Sequence, residues 1–362
     1  MKKLLALFLA LVMLFSVATL FAGCEEDGGK KKSSSQKQDD DEEEEEDEVD
    51  ENGDEEETED PTQGEQGSQT FDDTDGNGPL LYKVTDENGN VIWLFGSIHV
   101  GREDYYPLPA YVVDAYESSD ALAVEGDILA FENDLALQTE VLMSLMFTDG
   151  STISSYLSSE LYDASVAIME EYNQYNILLD YFMPITWYQT INSLAITEAG
   201  GNVSLGIDRY FLKLAKEENK PILEVESAQI QYGMLAGFSM DLQVLMLETV
   251  VDSFYEFDQM EESLNSLMDL WYSGNEAKFA QYLAQESDIP EKYESYENFD
   301  ALLEEYNNAM IVERNQYMTN YAVEALASGE EVFICVGAAH VVGEGAMAQN
   351  LRELGYTVEI IR

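Results

Sequence analysis

The chain is poor in several residue types, and each scarcity excludes something. Two cysteines in 362 residues rule out a disulfide framework. There are also only two histidines, and neither sits in a His-Glu-x-x-His helix, so this is no ordinary zincin. Lysine and arginine number 17 against 73 aspartates and glutamates, a formal net charge of −56, and a chain so short of cations is not a nucleic acid binder. Ser154-Ser155 and Ser158-Ser159 belong to no nucleophile elbow, which disfavours a serine hydrolase. No tandem repeat of solenoid length is visible. What is present is 45% hydrophobic and 11% aromatic residues, the content of an ordinary packed protein.

The acid is concentrated first and then spread. From Asp39 to Asp60, 18 of 22 positions are Asp or Glu, and from Pro79 to the end the formal charge is still −37. Ahead of that run, Met1-Lys2-Lys3 precedes an apolar stretch over residues 4–22 and then Gly23-Cys24, the pattern of an export signal. Leu20-Phe21-Ala22-Gly23-Cys24 resembles the lipobox of bacterial lipoproteins, with Phe21 where that pattern prefers Leu. The resemblance implies a signal peptide over residues 1–23 and lipidation of Cys24. An uncleaved membrane anchor and full secretion are the alternatives, and all three place the rest of the chain outside the cytoplasm. Residues 24–78 carry little apolar matter beyond Phe71 and are expected to form a disordered acidic tether. Residues 79–362 are expected to form one domain.

Within that domain, residues 80–85 and 91–95 flank an Asn-Gly turn and predict a hairpin, its second strand apolar throughout and therefore central. Further strands are expected at 121–124, 222–225, 331–336 and 356–361. Helices are expected at 110–117, 206–219 and 343–354, and the stretch 128–316 is mostly helical by its apolar period, its Tyr and Met residues read mainly as packing. The fold class is therefore α/β, a central mixed sheet with flanking helices and a long helical insertion. In such sheets ligands bind at the edge formed by the carboxyl ends of the strands.

Both histidines follow an apolar strand in the same way, as Gly96-Ser97-Ile98-His99 and Gly337-Ala338-Ala339-His340. Glycine at the strand end permits a tight turn or close backbone approach, and the histidine is then presented over the edge. Glu125 and Glu226 also end strands. Two imidazoles with one or two carboxylates suit Zn²⁺, Mn²⁺ or Co²⁺, which would polarise a carbonyl and acidify a bound water. The alternative is that both histidines are hydrogen-bonded turn residues. Asp208 reads as a helix N-cap rather than a ligand, Arg102 as an ion-pair partner, and Cys335 as a buried inert thiol.

Trp93-Leu94-Phe95-Gly96-Ser97-Ile98-His99-Val100-Gly101, Val124-Glu125 and Val336-Gly337-Ala338-Ala339-His340-Val341-Val342-Gly343 resemble the TraB/GumN family, and so do Gly206-Ile207-Asp208, Val225-Glu226-Ser227 and Arg314-Asn315. Ser97 stands where the family often has Thr and keeps the hydroxyl. The resemblance implies a fold shared with erythromycin-esterase and ChaN-like proteins, and kinship with Tiki-type membrane-tethered metalloproteases. Carried over, His99, His340 and Glu125 would form the metal or catalytic set, Glu226 would join the metal ligands, and Arg314 and Asn315 would line the site and stabilise an oxyanion. The implied function is a cell-surface, metal-dependent hydrolase of a peptide or protein. Sequestration of a peptide signal without turnover, and metal-free esterase-like hydrolysis, are the competing expectations.

Overall fold

The computed structural model describes residues 71–285, 291–294, 296 and 298–362; the signal segment, Cys24 and the tether up to residue 70 lie outside the described residues. Six strands form a single mixed sheet: β1 (Leu81–Thr85), β2 (Val91–Ser97), β3 (Ala121–Val124), β4 (Ile222–Glu224), β5 (Val332–Gly337) and β6 (Thr357–Ile361). Their order across the sheet is β4-β3-β5-β2-β1-β6. The first four are mutually parallel, whereas β1 runs antiparallel to both β2 and β6. The expected hairpin pairs Leu81 with Phe95 and Thr85 with Val91. Its turn is fastened by the Asp86 carboxylate, which accepts the backbone N–H of Asn88 at 2.9 Å and of Asn90 at 2.8 Å.

The sheet is wrapped by helices. Phe95 of β2 and Phe333 of β5 lie 5.7 Å apart between ring centroids, and Phe211 of the helix Ile207–Glu218 sits 5.7 Å from the first and 4.9 Å from the second. These rings are fully buried, each contributing about 1.5–3 kcal/mol, and they clamp that helix onto the sheet beside the end of β2. Trp271, from the helix Phe257–Tyr272, adds a ring edge against Phe95 and donates its indole N–H to the Gly96 carbonyl at 2.8 Å. Among the described residues no single helix is long and apolar enough to cross a membrane.

Residues 71–78, which composition places in the tether, pack on the domain. Asp72 accepts the backbone N–H of Ala277 at 3.0 Å, and Gly76 donates to the Ser273 carbonyl at 2.6 Å. The buried Glu276 carboxylate accepts from the Asp72 N–H at 3.0 Å, the Tyr82 hydroxyl at 3.0 Å and Arg352 Nη1 at 2.9 Å. Phe71 packs against the core and polar bonds hold the rest of the stretch, whose composition otherwise gives no sign of it.

Candidate functional site

The four parallel strands end on one edge, and each delivers one of the residues singled out above. In spatial order these are Glu226 after β4, Glu125 after β3, His340 after β5 and His99 after β2. The two Gly-x-x-His motifs converge because their strands are adjacent and in register, with Ser97 opposite Gly337. Gly96 is required by a close approach. A Cβ there would lie 2.9 Å from the Ala338 Cα, so only glycine lets the end of β2 lie against the short helix Ala338–Val341 that carries His340. His340 sits on this single helical turn, and it is buried.

Arg314 and Asn315 come from the helix Glu313–Ser328, which is entered through a π-helical turn at Asn308–Val312. The buried Arg314 guanidinium donates through Nη2 to Glu125 Oε2 at 2.7 Å and Glu226 Oε2 at 2.8 Å, and through Nε to Glu226 Oε1 at 2.9 Å. Gln231 Nε2 bridges the same carboxylates, at 2.9 Å from Glu226 Oε2 and 3.3 Å from Glu125 Oε2. The other oxygen of Glu125 accepts the Gly337 N–H at 2.6 Å. Burial works against the charge of Glu125, but Arg314, the two nearby histidines and the Gly337 N–H prevail and hold its carboxyl well below the usual range. Burial likewise opposes the charge of Arg314, and the two carboxylates more than restore it.

Each imidazole is fixed through Nδ1. His340 Nδ1 lies 2.8 Å from Asn315 Oδ1, and Asn315 Nδ2 donates to the Gly345 carbonyl at 3.0 Å, which sets the orientation of the amide. His340 must therefore carry its proton on Nδ1. Burial, aided by the Arg314 charge, lowers its pKa to about 3, so the ring is neutral and its Nε2 lone pair is free. His99 Nδ1 lies 3.2 Å from Asp208 Oδ2. Burial lowers the pKa of this ring too, but Asp208 and then Glu125 outweigh it and leave a net rise. The two rings sense each other and Glu125 electrostatically, so the structure brings His99, His340, Glu125, Arg314, Asn315 and Glu226 into one cluster.

The depressed His340 pKa makes the metal-free fold acid-sensitive. Below pH 6.5 an unfolded His340 takes up a proton that the folded ring refuses until about pH 3, so stability should fall across that window. The slope from this ring is at most about 1.4 kcal/mol per pH unit. Urea unfolding with chelator present should show it in the wild type and not in His340→Gln. Equal pH dependence in the two proteins would contradict it.

Two members of the cluster were not legible as such. Asp208 is no N-cap: Gly206 holds that position, without a side-chain cap, and Asp208 turns its carboxylate to His99. Gln231 gave no signal, because its distance from Glu226 means something only once Ser227 is seen to cap the helix Ala228–Ala236. Arg102 pairs with Asp269 and Tyr105. Burial pushes the Cys335 thiol well up, as an inert thiol requires. Among the described residues no three His, Cys, Asp or Glu side chains form a ready-made metal-ligand group. The donor chemistry nevertheless suits a divalent ion: among the described residues the Nε2 atoms of both rings meet no hydrogen-bond partner, and Glu125 lies within electrostatic reach of both. Both carboxylates are already engaged at each oxygen, Glu125 by Arg314, Gln231 and the Gly337 N–H and Glu226 by Arg314 and Gln231, so either would have to share its oxygens with an ion.

Comparison with known proteins agrees with these motifs. The chain is 27% identical over 266 residues to the "Uncharacterized protein YbaP" of Escherichia coli (strain K12), covering 72% of this chain and 87% of that protein. The Shigella flexneri protein of the same name matches to the same extent. No solved structure matches the chain. The TraB/PrgY/gumN family model matches residues 80–360, which takes in every strand of the sheet but the last residue of β6 and every residue of the cluster, and the chain belongs to that family.

Proposed function

We propose that the protein is a metal-dependent hydrolase of a peptide or protein, held at the outer face of the membrane by a lipid on Cys24. One observation carries the reading: two imidazoles, each fixed through Nδ1 by an acceptor of its own, leave Nε2 atoms that no described residue bonds, at the sheet edge beside an ionised carboxylate. Metal-binding histidines are held in this way. The charge inventory supports it. Asp208, Glu125 and Glu226 against Arg314 leave a formal excess of two negative charges when both rings are neutral, which one divalent cation would balance. His99 and His340 would hold the ion, with Glu125 beside them, and when bound it would polarise the scissile carbonyl and lower the pKa of a water.

The remaining work falls to the chain itself. Asn315 keeps the His340 Nδ1 proton in place, so the ring offers Nε2 throughout. Arg314 and the Gly337 N–H keep Glu125 ionised, which suits it to holding positive charge and ill suits it to taking up a proton near neutrality. Arg314 spends Nε and Nη2 on the two carboxylates, so only its Nη1 is left to meet an oxyanion. A second reading is favoured by the Asp208–His99 pair, which could serve as a metal-free histidine base.

The test is metal content and peptide cleavage by the full chain, refilled in turn with Mn²⁺, Co²⁺ and Zn²⁺ and offered a mixture of internally quenched peptides. The expected result is near-stoichiometric metal, and cleavage that chelation abolishes and refilling restores. Undiminished cleavage after exhaustive chelation selects the metal-free base. Absence of metal after refilling, together with peptide binding and no new N-termini, overturns both in favour of sequestration.

A further inference from the structure

We propose that Asp208 is a positioning residue whose carboxylate locks His99 in the tautomer with the proton on Nδ1 and the lone pair on Nε2. The inference deepens the hydrolytic reading and takes its purpose from it, but the tautomer can be read without any activity.

The local fold is arranged around this one contact. Gly206 ends a loop that lies directly on the His99 backbone. A Cβ at residue 206 would stand 2.6 Å from the His99 carbonyl oxygen and 2.8 Å from Asp208 Oδ1, so only glycine permits the approach. Ile207 then donates its N–H to the Ile98 carbonyl at 2.9 Å, fixing the start of the helix Ile207–Glu218 against the chain just ahead of His99. One turn on, Phe211 is wedged between Phe95 and Phe333 and sets the rotation of that helix. Together these contacts leave Asp208 Oδ2 at 3.2 Å from His99 Nδ1.

The carboxylate does nothing else that would explain its place. It caps no helix, and its other oxygen, Oδ1, is enclosed without a hydrogen-bond partner among the described residues. An enclosed, unsatisfied carboxylate oxygen is costly, and such costs are tolerated where a group is held for use. An ionised carboxylate can only accept, so the ring must donate from Nδ1. Asn315 imposes the same tautomer on His340 through a neutral oxygen at 2.8 Å. Two unrelated segments thus solve the same problem for the two rings, one with a charged acceptor and one with an uncharged acceptor.

Because the chain holds only two histidines, imidazole spectra contain two rings and no others. The experiment uses the full chain labelled with ¹⁵N-histidine, metal-free with chelator, at pH 9, where neutral rings reveal their tautomer in long-range ¹H–¹⁵N correlations. His340→Gln assigns the signals. In the wild type both rings should show a protonated Nδ1 and a bare Nε2. In Asp208→Ala the His99 pattern should move toward the Nε2–H form that free imidazole prefers, while His340 stays unchanged and reports an intact fold. Asp208→Asn should restore the Nδ1–H form, since its Oδ1 can accept as Asn315 does.

A wild-type His99 protonated on Nε2, or a pattern indifferent to Asp208→Ala, overturns the assignment. Should Asp208→Ala not fold, the wild-type spectrum alone still decides. Expected tautomers in a protein that cleaves nothing would leave this assignment standing and sink the hydrolytic reading. Cleavage by a protein whose His99 is protonated on Nε2 would do the reverse.

Discussion

Replacing Arg314 with leucine should cost about 3–5 kcal/mol of folding stability, the usual penalty for removing one partner of a buried ion pair. The guanidinium lies between two buried carboxylates and is the cation bonded to both. Without it, two buried carboxylates would lose the cation they share. Gln231 can supply only one amide group to the pair, and the Gly337 N–H reaches only Glu125. For a domain of this size the loss corresponds to a fall in Tm of roughly 6–20 °C.

The pH dependence should change as well. In the wild type, Glu125 has a folded pKa well below its unfolded one, so its contribution is complete above the unfolded value near about 4.3 and is lost only as the pH falls toward the folded value. Arg314→Leu should surrender that contribution at neutral pH. Arg314→Lys, which keeps a charge but cannot fork between two carboxylates, should fall between. Chemical denaturation at pH 7 and pH 4 would measure all three proteins. A leucine variant within about 1 kcal/mol of wild type at pH 7 would mean that the cluster is not held by this cation.

On the proposed hydrolytic function, the second large effect is on turnover. His99→Ala and His340→Ala should each lower kcat/KM for a cleaved peptide by at least about 10²–10⁴-fold, the range expected when a group that touches the reacting atoms is removed. The accompanying stability costs should be smaller and unequal. His99 is partly exposed, so its loss should be mild, whereas removing His340 leaves the Asn315 Oδ1 buried without its donor, a cost of about 1–3 kcal/mol. Circular dichroism would confirm folding in each case. Full turnover in both variants would place the chemistry away from the paired motifs.

Much of this molecule was decided by the sequence. Five of the six strands can be read from short, largely apolar runs, and the sixth, β4, from its Lys220-Pro221 entry, although as an edge strand it is largely exposed. The paired Gly-x-x-His motifs and the glutamates at strand ends are likewise local patterns, and in parallel strands such ends must share an edge. What only the tertiary structure decided is which charge meets which. Arg314 lies 189 residues from Glu125 and 88 from Glu226, and Asp208 lies 109 residues from His99. A helix face or an N-cap looks the same in sequence whether its polar group faces solvent or a buried partner. The adherence of residues 71–78 to the domain was hidden for a related reason, since hydrogen bonds to Glu276 leave no trace in hydropathy. Periodicity records where a chain buries apolar surface, whereas a buried polar cluster is specified by distances between segments far apart along it, and those distances exist only after folding.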